Sequence, residues 1–213
     1  MKITRSARSF RYSIDIIAEI LLLTILLLSC PTASVSAENV VDHLSVPGPL
    51  IFNKVSYQLV WSAHPSPHYY KQEYLPVGQS TQDFQGMVLV EAVIQGTDVN
   101  SAVAAQVDLL NRRKATDPTV NFAISKNPKT REMVIDFVMG KDSGEKGSIV
   151  EWNAYRYAPL TGNGGKSGVL LFGISRRAYG ENSTEFLRGL KSARTAELDA
   201  LVRFRLPAVD PKN

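Results

Sequence analysis

Cysteine is nearly absent: Cys30 is the only one in 213 residues. No intrachain disulfide can form, so the fold has to rest on its hydrophobic core. Histidine is scarce too, with three residues, His43, His64 and His68. His64 and His68 are four apart, but Pro65 and Pro67 rule out the helix that would bring them together, and no carboxylate or thiol in the segment completes a metal site. No metal and no cofactor is therefore expected. Charge of one sign is also in short supply, with 24 Lys+Arg against 20 Asp+Glu. Apolar runs are short. The main one, residues 20–28 with Thr24 at its centre, falls well below the roughly 20 residues that a membrane-spanning helix needs.

Catalytic signatures are missing as well. The chain has no Gly-x-Ser-x-Gly and no serine with an evident His/Asp partner. Gly162-Asn163-Gly164-Gly165-Lys166-Ser167 has the ending of a phosphate loop, but Leu160 stands where its first glycine is required. The apolar run that follows reads as a strand, not as the helix whose N-terminus would hold the phosphate. A hairpin loop is expected there. Glu73 and Glu91 fall on strands, where solvent-facing positions account for them. No catalytic residue is assigned, and a non-enzymatic protein is expected.

What the sequence does contain begins with an export pattern. Lys2, Arg5, Arg8 and Arg11 precede the apolar run, and Val35-Ser36-Ala37 offers small residues for cleavage. Residues 1–37 read as a secretory signal peptide. A second reading stays open, because Leu27-Leu28-Ser29-Cys30 resembles a lipobox in which Cys30 would be lipidated. The expected location is periplasmic or extracellular, with a membrane anchor only if Cys30 is acylated or the signal is retained. Removing 1–37 leaves 20 Lys+Arg against 18 Asp+Glu, a net charge of +2. A nucleic-acid partner loses its support with that balance. The partner expected is an envelope protein or a small ligand.

Residues 38–54 read as an extended lead-in, 55–206 as one α+β domain and 207–213 as a tail. Period-two patterning predicts strands at 55–61, 69–75, 87–94, 120–126, 132–139, 148–157 and 168–179. Residues 80–84 suggest one helical turn. Helical spacing of Val99, Val103, Val107 and Leu110 predicts a helix over 98–115, capped by Thr97 or Asp98. A last helix is predicted from Asn182 or Ser183 as cap to about residue 203, burying Phe186, Leu190, Ala193, Leu198, Leu201 and Val202. The fold class is an antiparallel meander with two main helices.

Tyrosine and tryptophan concentrate on these strands. Such aromatics either pack beneath helices or line a groove with their polar tips. The candidate groove residues are Tyr57, Trp61, Tyr74, Trp152 and Tyr155 with Arg156, and Arg176 and Arg177 could flank them.

Glu73-Tyr74-Leu75-Pro76-Val77-Gly78-Gln79-Ser80, followed by Phe84 and Met87, resembles a group of small exported bacterial proteins of no assigned function. Phe84 takes the place of that pattern's tryptophan. The element order is also similar to the α/β/α sandwich of PsbP-like and Mog1-like proteins, which implies an accessory or assembly role.

Overall fold

The computed structural model describes residues 40–142, 147–161 and 167–212, with only the backbone of Thr161. Residues 1–37, read above as an export signal, with Cys30 among them, and the glycine-rich stretch 162–166 lie outside the described residues. Eight strands form one antiparallel sheet that curls into a half-barrel: β1 (Leu50–Phe52), β2 (Val55–Ser66), β3 (Tyr69–Leu75), β4 (Gly86–Ile94), β5 (Asn121–Asn127), β6 (Glu132–Asp142), β7 (Ser148–Thr161) and β8 (Ser167–Tyr179). Helices α1 (Val99–Arg113) and α2 (Asn182–Arg203) complete an α+β fold.

The strands do not follow one another across the sheet in a single meander. Their order is β1-β2-β3-β4-β8-β7-β6-β5. The chain leaves β4 near the sheet's middle, and after α1 it resumes at the far edge as β5. Three hairpin steps then bring it back, so that β8 closes against β4. β7 and β8 pair out to Thr161 and Ser167, so antiparallel strands flank the glycine-rich stretch.

Strand alternation sorts the side chains into two layers. On one face Tyr70, Tyr74, Val88, Val90, Trp152, Ala154, Phe172 and Ile174 form a core with Phe186, Leu190, Leu198 and Leu201 of α2. On the other, Ile135, Phe137, Tyr157, Val169 and Leu171 pack against Val99, Val103 and Leu110 of α1. The predicted stripe of α1 is thus buried, and Asp98 caps it by accepting from the Ser101 amide at 2.8 Å. In α2 the expected cap is replaced: Glu181 precedes the first turn without a side-chain capping bond. Ala193 and Val202 are exposed, because ion pairs to the sheet help set the rotation of this helix. Arg194 reaches Asp136, and Glu197 accepts from Arg176 at 3.0 Å. Residues 80–84 make no helical turn. Ser80 and Asp83 form an isolated bridge instead, and the Gln79 side chain accepts from the Gln85 amide at 2.8 Å.

The lead-in and the tail are both docked. Leu44 and Val46 are buried, the Leu44 amide donates to Gln72, and Tyr74 OH donates to the Val46 carbonyl at 2.6 Å. The backbone amides of Asp210 and Lys212 donate to the carbonyls of Leu44 and His43, which clasps the two ends together.

Where α1 gives way to β5, Asp117 organises the turn. Its carboxylate accepts from Arg113 Nε at 2.9 Å, from the Gly140 amide at 2.8 Å and from the Thr119 amide at 3.0 Å. Burial works against the ionised form, yet these donors hold its pKa below the ordinary aspartate value. A depressed carboxylate stabilises the fold above its unfolded-state pKa, and that contribution is lost as pH falls through the folded value. Urea midpoints measured between about pH 5 and about pH 2 should therefore fall less steeply in Asp117→Asn than in the wild type. Parallel slopes would show that Asp117 is not linked to folding.

Candidate functional site

β3 is buried along its whole length although its centre, Lys71-Gln72-Glu73, is polar. Tyr70, Gln72 and Tyr74 turn to the α2 layer. Lys71 and Glu73 turn to the opposite face, together with Tyr69 and Leu75. Alternation on the neighbouring strands brings Trp61 of β2, Glu91 of β4, Glu151, Asn153 and Tyr155 of β7, and Ser175 and Arg177 of β8 to that same face. α1 packs across the β6, β7 and β8 part of it. Towards β2, β3 and β4 the face is polar.

Lys71 Nζ lies 3.0 Å from Glu73 and 3.7 Å from Glu91, and 5.8 Å from the centre of the Trp61 ring. Tyr69 OH donates to Glu91 at 2.7 Å. Arg177 donates to Glu151 through Nε at 2.6 Å and stacks its guanidinium 3.9 Å over Phe84. The Lys71 and Glu73 side chains are only 10% and 11% exposed. Five charged groups thus sit together with little water, and carboxylates outnumber cations by three to two. Their neighbours register the imbalance. Burial disfavours the ammonium form of Lys71, yet Glu73, Glu91 and Glu151 keep its pKa above the ordinary lysine value. Burial, reinforced by Glu91 and Glu151, pushes the Tyr155 phenol well up. Tyr69 is pushed up by burial and by Glu91.

Tyr155 occupies its place because Gly173 has no side chain. A Cβ on Gly173 would come within 2.8 Å of the Tyr155 ring, which also packs edge-on against Phe137 at 5.1 Å. Asn153, only 1% exposed, accepts from Ser175 Oγ at 2.8 Å. Among the described residues its amide nitrogen has no partner, which leaves an unused donor beside the charged cluster.

The six candidate groove residues do not meet in one place. Tyr57, Tyr74 and Trp152 are buried in the α2 layer, where the Trp152 indole donates to Asp136 at 3.2 Å. Arg156 is also there, with Nη1 donating to the carbonyls of Leu201, in the last turn of α2, and of Phe204, just past it, and its fork bound to Glu132. Trp61 and Tyr155 alone lie on the polar face. Of the flanking arginines, Arg176 belongs to the α2 layer and Arg177 to the cluster. Glu73 and Glu91 are not solvent-facing strand residues, because the curled sheet folds them inward. The missed signal was the Lys71/Glu73 spacing: two residues apart on a strand, opposite charges share a face.

Among the described residues no group of three or more His, Cys, Asp or Glu is placed to hold a metal ion. His64 stacks on Tyr70 at 4.0 Å, with His43 at 5.7 Å. No described helix is long and apolar enough to cross a membrane.

The model of an uncharacterised family matches residues 44–206, which takes in every strand and both helices. The chain belongs to that family. The match begins at Leu44, the docked residue of the lead-in, and ends at Leu206, just before the clasped tail. No curated protein and no solved structure matches the chain significantly.

Proposed function

We propose that this family member is an exported accessory protein, not an enzyme, and that it acts by binding a small cationic ligand on the polar face of the half-barrel. One observation carries the reading: three carboxylates and two cations share a nearly dry surface walled by Trp61, Tyr69 and Tyr155. A surplus negative charge at low water content favours an organic cation, and aromatic faces add cation–π attraction. The free Asn153 amide supplies a donor for an oxygen on the same ligand. Lys71, already placed against Glu73 and Trp61, shows the pose such a group would take. The basic start and small-residue cleavage site of residues 1–37 support export. Helices packed on opposite faces of an antiparallel sheet support the PsbP-like and Mog1-like sandwich, and the strand exit from Glu73 to Ser80 supports kinship with small exported bacterial proteins.

The test is calorimetric titration of the purified protein with primary amines, guanidinium compounds and choline. Binding should weaken about tenfold in Glu73→Gln and in Trp61→Ala, in line with the loss of one charge-assisted or cation–π contact. No heat from any of these probes would sink the proposal. So would binding that survives both substitutions.

A further inference from the structure

We propose that β5 is a contact strand for a second copy of this chain, which would pair with it antiparallel about Ile124 and run the two sheets into one. Among the described residues β5 is the sheet's outer strand, bonded to β6 alone. Its seven residues pair with β6 without a bulge, and none is proline. All but Phe122 are exposed, including Ile124 at 42%. Proteins ordinarily protect a free edge by shortening it, bulging it or placing proline or several charges on it. The opposite edge obeys that rule: β1 has three residues, and β2 beyond it carries two register shifts and Pro65. β5 has one charge, Lys126.

The order of residues in β5 says what pairs with it. Reading Asn-Phe-Ala-Ile-Ser-Lys-Asn against itself in the antiparallel sense puts Ile124 opposite Ile124 of the partner copy. Ala123 then faces Ser125, Phe122 faces Lys126, and Asn121 faces Asn127. Each pair is complementary: two apolar side chains, two small ones, a cation with a ring, and two amides. The Phe122 ring already receives a lysine in this way, from Lys114 at 4.8 Å. The two Lys126 side chains end up four residues apart along the strands, about 13 Å, beyond the screening length at physiological salt. A two-fold arrangement uses the same strand on both copies and closes on itself, so it ends at a dimer. The contact is small, and micromolar affinity is expected of it.

Sedimentation of the purified full chain should show mostly monomer near 1 µM and mostly reversible dimer near 100 µM, the span of a constant of about 10 µM. Ile124→Glu should weaken the dimer at least tenfold, while Ile51→Glu on the opposite edge should leave it unchanged. In a Cys30→Ser background, Ile124→Cys should cross-link on mild oxidation, because residues directly opposite in an antiparallel pair lie about 4.5–5.5 Å apart at Cα. Ser125→Cys should cross-link less, since its own copy is not its opposite. A chain that stays monomeric at about 100 µM would overturn the proposal, as would a dimer indifferent to Ile124→Glu. Equal cross-linking at positions 124 and 125 would overturn the register.

Discussion

Gly168→Ala is expected to lower stability by about 3 kcal/mol or more, the range of substitutions that force a central element apart. Gly168 begins the pairing of β8 with β4, opposite Ile94, and also faces Leu160 of β7. A Cβ built on it collides with the carbonyl of Val93, so something in the backbone has to move. A flexible side chain could swing aside, but a strand held on both edges cannot. The pairing most exposed to the clash joins the two halves of the sheet. Urea unfolding of the purified variant measures the loss. Gly189→Ala is the control: it lies within α2 with open space around it, and alanine there should add up to about 1 kcal/mol. A Gly168→Ala midpoint equal to wild type would show that β4 and β8 separate more easily than their register implies.

Arg156→Met should cost about 3 kcal/mol, the lower end of the range for breaking a buried pair, because Glu132 keeps some water. The arginine binds Glu132 with both arms of its fork, at 3.1 and 3.0 Å, and donates to the carbonyls of Leu201 and Phe204 at 3.1 and 2.8 Å. One side chain thus satisfies acceptors at the end of α2 and puts positive charge at the negative end of its dipole. Removing it strands a carboxylate and two carbonyls together. Adding Glu132→Gln to Arg156→Met should recover about 1 kcal/mol, since the unpaired charge disappears while the carbonyls remain unsatisfied. Additive losses in that double-mutant cycle would show that the two residues act independently.

The strands and helices were legible because their periods differ. β3 was readable to its last residue, since Pro67 and Pro76 punctuate it on both sides. β2 runs five residues past its expected end and takes Pro65 into its last turn of pairing, where a register shift accommodates the missing donor. The strand order was not legible. Nothing local in β4 says that its second neighbour is β8, some eighty residues later, because pairing partners are chosen by the whole sheet. The rotation of α2 escapes the sequence for a related reason: Arg194 and Glu197 find partners on the sheet, and Ala193 is left exposed. The site was hidden by the same logic. Period two placed Lys71, Glu73 and Glu91 on one face, but solvent-facing and inward-curled faces carry the same alternation, and only the curl distinguishes them.

The seam between β4 and β8 also bears on how the protein is made. A chain delivered N-terminus first has β1 to β4 in hand well before residue 168 arrives. Until then the inner edge of β4, Met87-Val88-Leu89-Val90 among it, has no strand to bond to. Such an edge is the most adhesive surface a nascent sheet can offer. A chaperone that holds the early strands would keep that edge out of trouble until the last hairpin comes home.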